Sequence, residues 1–377
     1  MRIVFSARPA FGHVFPLVPL ARAAQECGHD VTFASGKTFL PKLAGWGFEV
    51  DEVGLGIEQG FAEASQAYPE LLNPERPEFG GAMFVDVLGR RSLADMTDVV
   101  RERRPDLVVY EGTDVGAAVA AAAAGIPVAC HALSLWMGPF REALRDRIPG
   151  LWEAAGAPER VDVTVGDTYL DLWPGSMQAP DAFSQTNRHQ PIRPIPWGDP
   201  SSAIPGWLDE VRGPLVFVSL GTVFWGKDLL PKLVDALSAL DVDALVLAGA
   251  DASPEEVPQT DRVRVEGFVD QPAMLRRADA VVHHGGAGTL LGALTNGIPA
   301  VVLPEGADRP FTAASLEQSG AALKLDPREA SAADIAAAVE RILEERTFRE
   351  NAERIRGEIE AMPSPAEVVE HLESLAS

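Results

Sequence analysis

The strongest constraint on the fold is an alternation of short apolar runs with alanine-rich stretches, which occurs twice along the chain. In the first half, runs rich in β-branched residues predict strands, and the stretches between them have a helical composition. The predicted strands are 2–6, 30–34, 107–110 and 128–130, and the predicted helices are 16–27 and 115–124. This alternation is typical of parallel βαβ units, in which helices cover both faces of one sheet.

The second half of the chain repeats this pattern. Its predicted strands are 214–218, 244–247, 263–265, 280–282 and 300–303, and residues 330–377 have a helical composition. A proline-rich passage at 191–205 breaks both periodicities and is interpreted as a linker. Because 377 residues suit two domains of ordinary size, we predict an N-terminal domain at 1–200 and a C-terminal domain at 206–355. Residues 51–80 fit neither periodicity and are predicted to form loops and short helices.

A glycine-rich turn, HGGAGT at 284–289, follows one of the predicted strands and leads into a predicted helix. Glycines at 285, 286 and 288 let the backbone approach a ligand closely and adopt angles closed to other residues. The start of the helix offers unpaired N–H groups and a partial positive charge. The turn therefore predicts an anion site, and the alternative is a tight strand-to-helix connection that binds nothing.

His13 is a candidate general base near the start of the chain. It follows the first predicted strand in a turn where Gly12 allows exposure. An imidazole titrates near neutral pH, where a general base works best. The alternative is a histidine that only caps the helix beginning near Pro16.

The charge of the chain argues against two classes of partner. The formal net charge is -23, whereas nucleic acids and anionic membranes need clustered positive charge on the protein. The richest apolar run, 117–124, is stopped by Gly125 and Pro127, well short of the roughly 20 residues that span a bilayer. We therefore expect neither a nucleic-acid partner nor a membrane partner.

The two cysteines, Cys27 and Cys130, lie in apolar contexts and are interpreted as small core residues rather than a disulfide framework. The chain also starts with a predicted strand instead of a secretion leader. These observations favour a cytoplasmic protein. The neighbouring pair His283 and His284 does not predict a metal site, because adjacent residues in an extended segment point to opposite faces.

Three motifs, taken in order, resemble the GT-B glycosyltransferases of family 1 that decorate natural products in actinomycetes. They are GHVFPL at 12–17, VSLGT at 218–222, and the region 265–309, which contains VEGFVDQ, HGGAGT, GIP and PEGADR. The resemblance covers essentially the whole chain. It implies an α/β fold of GT-B architecture, with two facing Rossmann-like doubly wound domains and an interdomain cleft. It also implies that a C-terminal helix within 356–377 packs back on the N-terminal domain.

The resemblance implies that His13 is the catalytic base and that a carboxylate following the fourth strand orients it. Two residues, Glu111 and Asp114, are candidates for that carboxylate. We favour Asp114, because Glu111 would have to place a longer side chain into space that the family pattern allots to aspartate. The alternatives are an N-cap for Asp114 and a solvated loop position for Glu111.

The resemblance also implies a nucleotide-sugar site in the second domain. Its residues are assigned to the pyrophosphate, the base and the sugar; they are Ser219, Gly221, Thr222, Phe268, Val269, His284, Gly285, Gly286, Ala287, Gly288, Thr289, Asp308 and Arg309. Of these, Phe268 is assigned to base stacking, and its alternative is core packing.

Two departures from the family pattern bear on the donor. Members that use UDP-sugars usually have, at the position of Gly292, a glutamate whose carboxylate binds both ribose hydroxyls. The absence of this glutamate favours a dTDP-sugar, because deoxyribose has no 2′-hydroxyl. In the family, an aspartate–glutamine pair binds the hydroxyls of the sugar. This chain has Asp308 and Arg309 at those positions, which favours a deoxysugar over a common hexose.

The predicted function is an inverting, metal-independent glycosyltransferase that moves a sugar from dTDP, or less favourably UDP, to a small hydrophobic natural-product aglycone. No cofactor and no metal are expected, and the protein is expected to be a monomer or homodimer. The alternatives are a non-catalytic sugar-nucleotide-binding regulator and another GT-B enzyme, such as a sugar-nucleotide epimerase or a transferase acting on a lipid-linked acceptor.

Overall fold

A computed structural model describes residues 1–73, 76–184, 186–221, 229–249 and 254–376. The chain forms two compact units. The N-terminal unit comprises Met1–Trp173, Ala179–Arg193 and Met362–Ser377, and the C-terminal unit comprises Pro174–Gln178 and Pro194–Ala361. The main crossing between the units therefore lies between Arg193 and Pro194, inside the proline-rich passage.

The N-terminal unit is built on a seven-stranded parallel sheet of order β3-β2-β1-β4-β5-β6-β7. The strands are β1 Arg2–Ala7, β2 Asp30–Ser35, β3 Glu49–Glu52, β4 Leu107–Glu111, β5 Val128–His131, β6 Thr168–Asp171 and β7 His189–Pro191. Strand β4 is buried along its whole length, as expected for a parallel sheet covered on both faces. Strands β3, β6 and β7 were not predicted. The sequence of β3, EVDE, is too acidic to be recognised as a strand, and β7 is a short edge strand that ends in a proline.

Helices cover this sheet, and some of them differ from the expected pattern. The helices of this unit are α1 Phe11–Val14, α2 Val18–Glu26, α3 Leu40–Gly45, α4 Ile57–Ala67, α5 Pro77–Gly81, α6 Leu88–Arg103, α7 Val115–Ala123, α8 Gly138–Arg145 and α9 Pro149–Ala154. The single helix expected at 16–27 is divided into a 3₁₀ turn, Phe15–Leu17, and α2, with Pro16 and Pro19 each at the start of a new piece. The segment at 51–80, expected to form loops and short helices, contains α4, an 11-residue helix, and the start of the short helix α5.

The C-terminal unit has a six-stranded parallel sheet of order β10-β9-β8-β11-β12-β13. Its strands are β8 Leu215–Ser219, β9 Asp243–Leu247, β10 Val263–Glu266, β11 Ala280–His283, β12 Ala300–Val302 and β13 Ala322–Lys324. Its helices are α10 Leu229–Ser238, α11 Gln271–Leu275, α12 Ala287–Thr295, α13 Arg309–Gln318, α14 Ala332–Glu344 and α15 Arg346–Glu360. Each half is therefore a Rossmann-like α/β unit.

The last helix, α16 (Pro365–Leu375), belongs to the N-terminal unit and packs against α2. A capping box formed by Ser364 and Glu367 starts this helix. Further along, His371 Nε2 lies 3.0 Å from the hydroxyl of Thr168 at the start of β6. These contacts hold the C-terminal segment on the first sheet.

The two cysteines differ in burial. Cys130 is buried on β5 in the core that α6 and α7 cover, as expected. Cys27 is exposed, so the expectation that it is a core residue is wrong. The reason is its position directly after the last residue of α2, where the chain turns at Gly28 with a positive φ of 86°.

Helix α6, with 16 residues, carries charged residues on successive turns. Within the part of the chain that the structure describes, no helix combines the length and apolar character needed to cross a membrane.

Candidate active site

In the N-terminal unit, His13 lies in α1, directly after β1, and its side chain is 19% exposed. Its Nδ1 lies 3.1 Å from Oε1 of Glu111, which is the last residue of the neighbouring strand β4. A carboxylate accepts a hydrogen bond from Nδ1–H, so the neutral ring carries its lone pair on Nε2. This arrangement suits a histidine that takes a proton through Nε2.

Glu111 is fully buried, so its alternative interpretation as a solvated loop residue is wrong. Burial alone would raise the pKa of Glu111, but the charge and hydrogen bond of His13, with Arg8 and Thr113, lower that pKa below its usual value. The amide N–H of Thr113 donates to Oε2 at 2.8 Å, and its hydroxyl donates to Oε1 at 2.6 Å. Glu111 is therefore a fixed, ionised partner for the imidazole at neutral pH.

Asp114 does not contact His13, so the preference for Asp114 as the orienting carboxylate is corrected by the structure. Its carboxylate accepts hydrogen bonds from the hydroxyls of Ser6 at 2.6 Å and Ser92 at 2.5 Å, and it pairs with Nη2 of Arg8 at 3.1 Å. Asp114 does occupy the N-cap position of α7, as the alternative interpretation expected, but its side chain makes no capping hydrogen bond there. The buried arginine and the two hydroxyls satisfy the oxygens of Asp114 instead.

Arg8 and Thr113 are the functional neighbours that sequence reasoning missed. Arg8 is fully buried and donates to the backbone carbonyls of Leu88 and Thr113, at 3.3 and 3.2 Å, while its Nε lies 4.0 Å from Glu111. The sequence did contain a signal for this role, because Arg8 is a charged residue directly after an apolar strand. If such a residue is buried, its charge needs acidic or carbonyl partners.

In the C-terminal unit, His284 follows β11, and its ring lies between two glycines. A Cβ placed on Gly221 would lie 2.6 Å from Nε2 of His284, and a Cβ placed on Gly286 would lie 2.5 Å from the same atom. Gly221 also has a φ of +83°, which side chains rarely adopt. A side chain at either position would crowd the imidazole, so glycine at 221 and 286 leaves the room that the ring occupies.

The ring of His284 is neutral at ordinary pH. Its Nδ1 lies 3.3 Å from the backbone oxygen of Ser219, the last residue of β8. Burial and the charge of Arg309 lower the pKa of His284 to about 4, against the opposing effect of that hydrogen bond. Ser219 thus contributes its carbonyl to this site, whereas Thr222, its expected companion, lies outside the described residues.

Helix α12 begins at Ala287, and its N-cap is Gly286, whose lack of a side chain leaves the first turn uncapped. Gly288 is exposed and Ala287 is partly exposed, so the first N–H groups of this nine-residue helix are accessible. Such a helix start attracts anions through its N–H groups and dipole. The hydroxyl of Thr289 is buried, 3.4 Å from Oε1 of Gln271, so Thr289 offers only its backbone.

Phe268 and Val269 differ in exposure. Val269 is buried, whereas Phe268 is 53% exposed, so core packing is the wrong interpretation for Phe268. An exposed aromatic ring directly after β10 has the surface needed to stack on a nucleotide base.

Asp308 and Arg309 lie at the start of α13, which packs on the glycine-rich turn. The hydroxyl of Thr312 donates to the backbone oxygen of Gly285 at 2.9 Å, and a Cβ placed on Gly285 would lie 3.2 Å from Cβ of Arg309. Nη1 of Arg309 donates to the backbone oxygen of Glu305 at 2.9 Å. The structure therefore brings Arg309 to the same turn as His284.

Gly292, the position at which the resemblance places a glutamate in UDP-sugar enzymes, is buried in α12. A Cβ at this position would lie 2.6 Å from Cδ1 of Leu275 and 3.9 Å from Cγ of Pro196. A side chain at this position would therefore require the end of the Leu275 side chain to move.

Several side chains of the C-terminal unit that are chemically able to bind a metal ion have other partners. Nδ1 of His283 accepts a hydrogen bond from the N–H of Gly285 at 3.1 Å, and burial lowers the pKa of His283 to about 3. Asp241 and Asp243 both pair with Arg262. Among the described residues, no three or more His, Cys, Asp and Glu side chains converge as ligands for one ion.

Both halves of the chain match one protein family. Residues 22–221 match the N-terminal domain of the family described as erythromycin biosynthesis protein CIII-like, and residues 231–375 match its C-terminal domain. The matches include Glu111 in the first half and the whole turn from His284 to Thr289 in the second.

Individual relatives are similar over their full length. The 3-alpha-mycarosylerythronolide B desosaminyl transferase of Saccharopolyspora erythraea is 30% identical, with 100% of this chain and 99% of the relative covered. The aclacinomycin-T 2-deoxy-L-fucose transferase of Streptomyces galilaeus is 31% identical, with 100% and 96% covered. The solved structure of the glycosyltransferase VinC in complex with dTDP is 25% identical, with a TM-score of 0.81 and coverage of 100% and 99%.

Proposed function

The chain belongs to the erythromycin biosynthesis protein CIII-like family, and from that membership we infer the reaction of this GT-B natural-product glycosyltransferase. We propose that it transfers a deoxysugar from dTDP to a hydrophobic natural-product aglycone, with inversion and without a metal ion. The observation that carries the proposal is the hydrogen bond between His13 and the buried, ionised Glu111.

In this proposal, Nε2 of His13 takes the proton of the acceptor hydroxyl. The acceptor oxygen attacks C1 of the sugar from the face opposite the diphosphate, so the configuration at C1 inverts. The bond between C1 and the phosphate oxygen breaks, and its electron pair leaves with the diphosphate. Glu111 stabilises the imidazolium that forms, which is the role of a carboxylate on Nδ1.

The leaving diphosphate is assigned to the C-terminal unit. Accessible N–H groups at the start of α12 and the backbone of the turn from His284 to Thr289 would bind its oxygens. This supports a reaction in which backbone dipoles, rather than a metal ion, stabilise the charge on the leaving group. In this proposal the base belongs to the N-terminal unit and the phosphate-binding turn to the C-terminal unit.

Two observations support a dTDP-deoxysugar as donor. The first is Gly292, packed beside Leu275, in place of the glutamate that binds both ribose hydroxyls in UDP-sugar enzymes of the resembling family. The second comes from the relatives, of which one is named for transfer of 2-deoxy-L-fucose and another holds dTDP. A deoxyribose has no 2′-hydroxyl, so a site without that carboxylate loses little by binding it.

The acceptor class also rests on the relatives, which are named for 3-alpha-mycarosylerythronolide B and aclacinomycin-T. We assign a hydrophobic aglycone of that broad kind to the N-terminal unit, which holds the base.

The donor is tested by calorimetry with dTDP and UDP, followed by turnover with a panel of dTDP-deoxysugars and aglycones. We expect dTDP to bind more tightly than UDP, and the product to have the anomeric configuration opposite to that of the donor. Tenfold tighter binding of UDP, about 1.4 kcal/mol, would contradict the donor assignment. Nucleotide binding with no transfer to any acceptor would instead favour a non-catalytic regulator.

Metal independence is tested in the same assay. Turnover should be unchanged by excess chelator, because the proposed charge stabilisation uses only backbone and side-chain groups. Activity that is lost with chelator and restored by magnesium or manganese would show that the leaving group depends on a metal ion.

A further inference from the structure

Three buried charged side chains, Arg8, Glu111 and Asp114, lie on the side of His13 that carries Nδ1. Each of the three is at most 3% exposed, so salt screens their interactions only weakly. When both carboxylates are ionised, one negative charge is left in excess. Protonation of His13 would balance that excess, so the distribution of these charges bears directly on the base.

Arg8 directs its hydrogen bonds away from Glu111. Its Nη2 lies 3.1 Å from Oδ1 of Asp114 and donates to the backbone oxygen of Thr113 at 3.2 Å. Its Nη1 donates to the backbone oxygen of Leu88 at 3.3 Å. Its Nε lies 4.0 Å from Oε1 of Glu111, too far for a hydrogen bond, and makes none to any described residue. The carboxylate of Glu111 is therefore left to other donors.

Thr113 connects Arg8 to Glu111. Its N–H donates to Oε2 of Glu111 at 2.8 Å and its hydroxyl donates to Oε1 at 2.6 Å, while its carbonyl accepts from Arg8. The same Oε1 lies 3.1 Å from Nδ1 of His13. Arg8 therefore fixes the residue that holds Glu111 without competing with the imidazole for Oε1.

Asp114 keeps Arg8 in this arrangement. The hydroxyls of Ser6 in β1 and Ser92 in α6 donate to its carboxylate, and its negative charge holds the guanidinium. If that charge were removed, Glu111 would be the remaining acidic partner of Arg8. An approach of about 1 Å would then bring the free Nε–H to hydrogen-bonding distance of Oε1.

Two other titratable side chains lie near Glu111 but carry no charge at neutral pH. His131 is paired with Glu111 in the register of β4 and β5, and burial lowers the pKa of His131 to about 4. Burial raises the pKa of the Cys130 thiol to about 12. The charge balance beside the base is therefore set by the arginine and the two carboxylates.

We infer that Arg8 is a positioning residue for the base: it neutralises Asp114 and holds Thr113, so that Glu111 alone orients His13. The single excess negative charge then favours the imidazolium. Arg8 exchanges no proton itself, and the proton taken from the acceptor stays on Nε2 of His13. This inference rests on the proposed function, in which His13 is the base.

The charge balance is tested by NMR titration of the histidine rings in the ligand-free protein, where the His13 signal is the one lost in His13→Gln. Asp114→Asn removes one negative charge and lets Arg8 turn to Glu111. The titration midpoint of His13 should move to lower pH by about 0.5–1 unit, because less negative charge stabilises the imidazolium. Adding Arg8→Gln to Asp114→Asn restores the excess charge and should recover more than half of that shift.

The positioning by Arg8 is tested with Arg8→Lys. This variant keeps every charge of the network, so it remains testable if a charge-removing variant does not fold. A single ammonium replaces the planar fork that reaches Leu88, Thr113 and Asp114. We expect kcat to fall about 3–10-fold, the equivalent of one lost hydrogen bond, while the donor KM and the His13 titration stay close to wild type.

Two controls separate charge from packing. Ser92→Ala removes a buried hydrogen bond to Asp114 without changing any charge, so it should lower the melting temperature and leave the His13 titration unchanged. Asp86→Asn removes a partly buried carboxylate that pairs with Arg147 in the same unit, and it should also leave that titration unchanged. Melting curves establish that each variant is folded before the titrations are compared.

Three results would overturn the inference. An unchanged His13 titration in folded Asp114→Asn would make Arg8 and Asp114 a structural pair only. A shift that the double variant does not recover, or an equal shift in Ser92→Ala, would indicate altered packing. Wild-type kcat in Arg8→Lys would show that Thr113 needs no fork from Arg8. The NMR readout needs no sugar transfer, so a wild-type protein without turnover would contradict the proposed function separately.

Discussion

His13 and His284 follow central strands of their sheets, β1 and β11, yet the structure gives them opposite surroundings. The Nδ1 of His13 contacts the carboxylate of Glu111, whereas the Nδ1 of His284 contacts the carbonyl of Ser219. A carboxylate stabilises a protonated ring, and a single carbonyl in a buried site does so far less. The partner of Nδ1 therefore decides which histidine is suited to accept a proton.

The room left beside the second ring has a specific cause. Both histidines are partly exposed, but Cβ atoms on Gly221 and Gly286 would clash with the ring of His284. Glycine at these two positions therefore leaves the space that this ring occupies. One site is arranged for chemistry at Nε2, and the other is arranged to hold a turn in place.

The largest expected effect comes from His13→Ala. Removing a general base costs about 10²–10⁴ in rate, so turnover should fall by that factor. Binding of dTDP should be unchanged, because its proposed contacts lie in the other unit. The measurement is kcat with calorimetry on the same preparation. Wild-type turnover in this variant would show that another group takes the proton.

The next largest effect distinguishes Glu111 from Asp114 as the residue that orients the ring of His13. Glu111→Gln should lower kcat about 10–100-fold, by analogy with the cost of removing the group that orients a metal-binding histidine. Asp114→Asn is the matched control. It should lower the melting temperature, because it weakens a buried ion pair with Arg8, while kcat falls much less. A larger loss of kcat in Asp114→Asn would reverse the assignment of the orienting residue.

The sequence predicted the parts of this comparison that depend on local pattern. The strands preceding both histidines and the glycine-rich turn were correctly placed, because apolar runs and glycines have short-range signatures. The choice of Asp114 over Glu111 was wrong, since the position of Asp114 depends on Arg8, Ser6 and Ser92, which come from distant parts of the chain. The acidic strand β3 was missed for a related reason: pairing with β2 overrides its poor strand propensity.

The enclosure of His284 is tested by stability. Gly286→Ala places a Cβ 2.5 Å from Nε2 of His284 and should lower the free energy of unfolding by about 1–3 kcal/mol, the usual cost of overpacking. Gly12→Ala is the control in the other unit, since nothing lies within 4 Å of its Cβ. Equal effects of the two substitutions on urea unfolding would show that the ring of His284 has room to move.

The smallest expected effect is a pH dependence of stability that comes from His284. Its pKa is about 4 in the folded protein and about 6.5 in an unfolded chain, so between these values the unfolded state binds more protons. Stability therefore falls as pH decreases through this window, and the loss is complete below the folded pKa. His284→Gln should remove this contribution, so the difference in unfolding free energy between wild type and variant should be constant above pH 7.5. By pH 5.5 it should shift by about 1.4 kcal/mol in favour of the variant. Urea unfolding at a series of pH values measures the shift. A difference that stays constant down to pH 5 would mean that the folded protein accepts the proton on His284 readily, and the contrast with His13 would then lose its electrostatic basis.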